Sequence, residues 1–198
     1  MTKVTKRTRA LTGTAMLAAV ATILMYMEFP IPIMPAFIKM DISELPALIA
    51  SFAYGPLSGI AVCLIKNLIK LPSTSTAAVG ELFNFVMGAL FVGVAGIVYK
   101  KNKTRKGAII GAVAGALIMA LVSLPYNYFV VYPAYVVMYH LPLEAIIGMY
   151  QAINPNVNGL LACLVTFNVP FTFVKGMVDA LLCFLIYKPL SPILHGRK

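Results

Sequence analysis

The feature that most limits this chain is a series of long apolar runs, near residues 11–27, 45–71, 77–99, 108–138 and 158–187. A helix needs about 20 apolar residues to cross the roughly 30 Å hydrocarbon layer of a bilayer. Runs of this length point to an all-α integral membrane protein. Composition agrees, since 61% of residues are hydrophobic and 11% charged, against about 45–50% and about 25% in soluble domains. The 198 residues leave room for about four to six spans and no separate soluble domain.

The second run contains Tyr54-Gly55-Pro56, a breaker near its middle. It is either one long helix or a hairpin of two short ones, and charge decides. Basic residues gather in the N-terminal tail (Lys3, Lys6, Arg7, Arg9), in the loop holding Lys100, Lys101, Lys103, Arg105 and Lys106, and at the C-terminal end (Lys188, Arg197, Lys198). Only a hairpin places all three clusters on one side, as the positive-inside rule requires. The expectation is therefore a single domain of six spans, near 11–27, 43–54, 56–71, 77–99, 108–138 and 158–187, with both termini cytoplasmic. Residues 28–42 form an outer loop, and Glu28, Asp41, Glu44 and Glu144 lie in or near the outer loops. The net charge of +10 thus reads as a topology signal, not a nucleic-acid site. The basic N-terminal stretch and the run after it have the form of a signal peptide. Further apolar runs follow, and this one merges into a proline-rich loop, so it is read as the first span.

Several other signals have structural readings. Cys63, Cys163 and Cys183 sit in apolar runs without C-x-x-C spacing, which indicates burial, not metal or disulfide chemistry. Tyr126, Tyr128, Tyr132, Tyr135 and Tyr139 cluster at the outward end of the fifth span, where amphipathic rings favour the interface. Gly107, Gly111 and Gly115 mark a face for close helix packing.

Charges inside spans are expensive and mark pathways, ligand sites or internal pairs. Lys66, Glu81, Lys175 and Asp179 are such charges. Lys175 lies twelve residues before Tyr187, or roughly 18 Å of helix, too far to snorkel to cytoplasmic water. Two readings stand for it: pairing with Asp179, four residues on, or a hold on ligand. Pro170 opens the backbone just before it, beside Thr172, and Asn127 follows Pro125; such openings free polar groups that need partners. Glu81 and Asn84 share a helix face, although Glu81 also suits a helix N-terminus. The outer loop is apolar and proline-stiffened, so it should lie over the bundle, as passive cover or as a lid whose Phe37 and Met40 touch a ligand. The chain has no phosphate-binding loop and no metal motif, and its two histidines are His140 and His195. No catalytic constellation emerges, so an enzyme is not expected and ATP-driven work would fall to other subunits.

These features resemble the riboflavin-specific S component, the substrate-binding subunit, of energy-coupling-factor vitamin transporters. The resemblance is carried, in order, by Phe29-Pro30-Ile31-Pro32 with Asp41, Gly55-Pro56, Lys66-Asn67, Gly80 to Phe85, Asn127-Tyr128-Phe129, Pro170-Phe171 and Lys175-Gly176. It implies a six-helix bundle in a prokaryotic plasma membrane that binds riboflavin from outside, beneath the first loop. A transmembrane coupling subunit and two ATPase subunits are its implied partners; riboflavin is the cargo and no cofactor is implied. Asn127 and Lys175 would hydrogen-bond the flavin ring, with Glu81, Asn84, Thr172 and the loop residues Phe37, Lys39, Met40 and Asp41 around the rest. Thr172 stands where the family pattern has asparagine, and Lys39 where it can have threonine. Ala15 and Ala19 match an Ala-x-x-x-Ala docking face for the coupling subunit, a spacing that internal packing also explains. The competing functions are the same architecture serving another vitamin, or an intramembrane enzyme using Glu81, Lys175 and Asp179 for proton transfer.

Overall fold

The computed structural model describes residues 3–140 and 142–195, and the protein is helical along most of that length. Its helices are α1 (Lys3–Tyr26), α2 (Glu44–Tyr54), α3 (Pro56–Lys70), α4 (Val79–Lys101), α5 (Arg105–Tyr126), α6 (Tyr132–Tyr139), α7 (Leu143–Gln151), α8 (Gly159–Cys163) and α9 (Val169–His195). Arg197 and Lys198 of the C-terminal basic cluster lie outside the described residues.

Among the described residues, four helical stretches are long and apolar enough to cross a membrane: 7–26, 79–101, 105–138 and 159–187. The break expected at Gly55-Pro56 is present. Gly55 has φ +108°, a backbone region where glycine alone is unstrained, and Pro56 opens α3 at a position that needs no N–H. The two resulting helices have 11 and 15 residues, so at about 1.5 Å per residue each falls short of a roughly 30 Å layer. Residues 44–52 of α2 are all buried, which puts this short helix inside the bundle. Large apolar side chains such as Leu57, Leu121, Leu181 and Leu185 are instead exposed.

Local chemistry sets the helix ends. Thr104 accepts from Gly107 N at 3.0 Å, a side-chain N-cap for α5, and Lys100 and Lys101 close α4 against its negative dipole end. Gly111 and Gly115 press on α4: an added Cβ would come within 2.7 Å of Ala95 O and 2.5 Å of Phe91 O. The glycine face therefore serves bundle packing. The three cysteines are buried and unpaired with one another.

Two π-helical turns interrupt the long helices, at Asn127–Val131 and Leu164–Asn168. Each ends two residues before a proline, Pro133 or Pro170. A helical proline has no N–H to give and its ring crowds the carbonyl four residues back. The preceding turn widens by one residue instead: Tyr132 N–H bonds Asn127 O, and Val169 N–H bonds Leu164 O, five residues apart. Such bulges concentrate at functional sites.

The outer loop carries a short ladder that the sequence did not signal. Phe29–Pro30 and Lys39–Met40 pair as a two-residue antiparallel ladder. Between them the chain folds down, burying Met34 and setting Phe37 edge-on to Tyr132, Tyr135 and Tyr150, with centroids 6.2–6.5 Å apart.

Candidate functional site

A cavity of about 170 Å³ opens beneath this loop. Most of the residues singled out above meet there: Phe37, Lys39, Asp41, Glu81, Asn84, Asn127, Thr172 and Lys175 all line it. Met40 does not; it is buried at 7% exposure as packing under the ladder.

The second π turn and α9 together contribute a stripe. Asn168, Thr172, Lys175 and Asp179 follow one another at helical spacing and all line the cavity, over about 16 Å of helix at 1.5 Å per residue. Near Asn168 the wall is aromatic, with Phe37, Tyr132 and Tyr135; near Lys175 it is charged, with Asp41 and Glu44.

Lys175 corrects the simplest expectation for it. It is not paired with Asp179 but lies 2.8 Å from Asp41 Oδ2 and 3.4 Å from Glu44 Oε2. Both acids precede or open α2, so a contact between distant elements replaces the local i,i+4 pair. Lys66, fully buried on α3, donates to Glu44 Oε1 at 2.5 Å and also to Ser43 Oγ. Ser43 donates in turn to Asp41 through its N–H, at 2.9 Å, and its hydroxyl. Burial opposes ionisation of Asp41, but the charges of Lys175 and Lys66 and the Lys175 and Ser43 hydrogen bonds outweigh it and hold the carboxyl well below its usual range. A network this complete is fixed in shape.

A second charged group closes the rim. Glu28 takes Lys39 at 2.9 Å on one oxygen and Lys70 at 2.5 Å on the other, while Lys70 also sits 5.9 Å from the Tyr26 ring centroid. One carboxylate thus ties the start of the loop to its end and to α3. Burial opposes its ionisation too, and the two lysines again prevail, lowering its pKa from 4.5.

Glu81 is not a bare helix-end charge. It accepts from Thr74 Oγ1 at 2.7 Å and Thr76 Oγ1 at 3.0 Å, bracing a turn in which Ala77 and Ala78 adopt left-handed φ of 48° and 68°. Such strain in non-glycine residues persists where the surroundings over-determine it, and it clusters at ligand sites. Asn127 is buried and donates to Ser123 O at 2.8 Å, which leaves its carbonyl oxygen and a second N–H for an occupant.

Three contributors were not anticipated. Glu44, expected in or near the outer loops, is buried in the ion network. Tyr132, expected in an interfacial belt, is 1% exposed and hydrogen-bonds the Tyr150 hydroxyl. Tyr150 donates to Asn168 Oδ1 at 2.7 Å, and Asn168 Nδ2 donates to Tyr132 at 3.2 Å, closing a three-membered ring that fixes the Asn168 amide. The sequence signal for Asn168 was its place two residues before Pro170. Tyr128 does stay exposed, at 40%; the Tyr139 side chain lies outside the described residues.

Ala15 and Ala19 do not line this cavity and lie on the exposed face of α1, whereas Ala18 and Ala21 face inward. Internal packing therefore does not explain the Ala15 and Ala19 spacing.

Comparison with known proteins gives one consistent picture. Residues 9–187 match the family model described as ECF transporter, substrate-specific component. The chain is 33% identical over 180 residues to riboflavin transporter RibU of Staphylococcus aureus, covering 91% of this chain and 89% of that protein. It is 33% identical over 195 residues to riboflavin transporter FmnP of Bacillus subtilis, covering 97% of each. A solved structure reported under "Structure and mechanism of the S component of a bacterial ECF transporter" superposes with a TM-score of 0.74 at 31% identity, over 95% of this chain and 98% of that one.

Proposed function

The chain belongs to the family of ECF transporter substrate-specific components, and from that premise we propose that it is the riboflavin-binding membrane subunit of an ATP-driven vitamin importer. The observation that carries this reading is the cavity: aromatic rings and a charged stretch line it together with a few fixed polar groups, which suits a flat ring whose polar edge needs hydrogen-bond partners. Relatives that match over nearly their whole length and are named riboflavin transporters support the choice of ligand.

In this reading Asn127 and Lys175 hydrogen-bond the flavin ring. Glu81, Asn84 and Thr172 surround the rest, and residues 28–42 act as a lid through Phe37, Lys39 and Asp41, with Met40 packed beneath. Six helices lie in the membrane: α1, α2, α3, α4, the continuous α5–α6 helix and the continuous α8–α9 helix. Both termini are cytoplasmic, which is supported by the basic clusters falling on one side in that arrangement. The short α2 and α3 are acceptable because the bundle, not lipid, surrounds most of α2.

The protein sits in a prokaryotic plasma membrane. A transmembrane coupling subunit docks on the exposed Ala15 and Ala19 face, and two ATPase subunits supply the energy. The chain itself binds and presents cargo; it is not an enzyme.

The test is the visible spectrum of the protein purified in mild detergent from cells grown with riboflavin. Flavin absorption bands that travel with the protein are expected. Colourless protein that also leaves added riboflavin fluorescence unquenched contradicts the reading.

A further inference from the structure

Asp179 is a buried acid of α9 that stands outside the ion network of Asp41, Glu44, Lys66 and Lys175. It is 0% exposed, and neither carboxyl oxygen has a hydrogen-bond partner. Native interiors give such groups a partner in protein, water or ligand. Asp179 also lines the cavity, so its unpartnered carboxyl borders the space a ligand would fill.

The other acids of the wall are engaged. Two lysines hold Glu28, and Lys175 and Ser43 hold Asp41. Lys66 holds Glu44, and two threonines hold Glu81. Among the described acids of the cavity, Asp179 is the one with neither oxygen bonded. Lys175 precedes it by one turn on the same face and spends one N–H on Asp41, leaving donors in reserve. The pair offers a donor and an acceptor side by side.

We propose that the Asp179 carboxyl accepts the imide N–H of a bound flavin while Lys175 donates to the adjoining carbonyl, an inference that rests on the flavin reading above. The oxidised flavin ring carries a single N–H, at the imide and flanked by two carbonyls. An unengaged acceptor one turn from a cation matches that edge and no other part of the ring. Asp179 is thus a ligand-reading residue, and the discrimination it supplies is against flavins whose imide nitrogen is blocked.

The experiment compares riboflavin, riboflavin methylated on the imide nitrogen, and lumiflavin, which lacks the polyol chain, by fluorescence titration of the full chain in detergent. The wild-type protein is expected to prefer riboflavin over the methylated flavin by about tenfold or more, the loss expected when a buried acceptor is left without its hydrogen-bond partner. Asp179→Leu should weaken riboflavin and lumiflavin alike and reduce the preference to within about twofold, while Asp179→Asn, which keeps an acceptor, should retain part of it. Wild-type protein that binds both riboflavins equally overturns the proposal, even if the variants do not fold. So does a preference that survives Asp179→Leu, or a loss confined to riboflavin and spared in lumiflavin, which assigns the carboxyl to the hydroxyls. Failure of the wild type to bind any flavin is a different result and removes the flavin reading itself.

Discussion

Lys175 Nζ on α9 lies 2.8 Å from Asp41 Oδ2 in the outer loop, across a sequence separation of 134 residues. This contact joins the cavity floor to its cover, and with Glu44 and Lys66 it forms a buried cluster in which each lysine has a carboxylate. Removing one member of a buried pair leaves an uncompensated charge, at about 3–5 kcal/mol. Lys175→Met and Asp41→Asn should therefore each weaken riboflavin binding at least tenfold, on the order of 1.4 kcal/mol or more. The double variant should lose less than the two single losses combined, because the groups are coupled. Strict additivity in a titration of all four proteins argues against a direct pair.

Glu28 makes the rim sensitive to acid. Its pKa is held below 4.5 by Lys39 and Lys70, so the clamp contributes fully above that value and is lost as pH falls through the lower folded one. Flavin dissociation should stay constant from neutral pH down to about 5 and accelerate only in stronger acid. Glu28→Gln should dissociate faster at every pH and lose the acid dependence. Stopped-flow release measurements check this; an unchanged acid limb in the variant assigns it to another group.

The prolines test the π turns. Pro170→Ala restores an N–H and relieves the crowding that widens the Leu164–Asn168 turn. Closing that turn rotates the preceding helix by about 100° relative to Lys175 and carries Asn168 off the cavity wall. Riboflavin affinity should fall several-fold while thermal stability holds or rises. An unchanged affinity shows that the turn does not set the site.

Much of this was legible in the sequence because it depends on local rules. The Gly55-Pro56 break follows from backbone chemistry, and Lys175, Asn127 and Glu81 stand out because lipid tolerates no stray polar groups. What stayed hidden depends on tertiary pairing. Asp179 sits at the right spacing for Lys175, yet the lysine turns to Asp41, which only the folded loop brings near. Glu44 reads as an acid in or near the outer loops because nothing local reveals that Ser43, Lys66 and Lys175 surround it. Tyr132 has the composition of an interfacial ring, and only its neighbours Tyr150 and Asn168 draw it inside.

Ala15 and Ala19 lie on the exposed face of α1 and do not line the cavity. Ala15→Leu should leave flavin affinity within about twofold, as an exposed substitution away from the site does, while uptake by the assembled transporter in cells falls sharply. Normal uptake with the variant excludes this face as the docking surface.

The most direct test of the central claim is equilibrium dialysis of the purified, flavin-free chain against riboflavin, with thiamine as the competing vitamin. The account predicts saturable binding of one riboflavin per chain that excess thiamine does not displace. Absence of saturable binding, or displacement by thiamine, contradicts it.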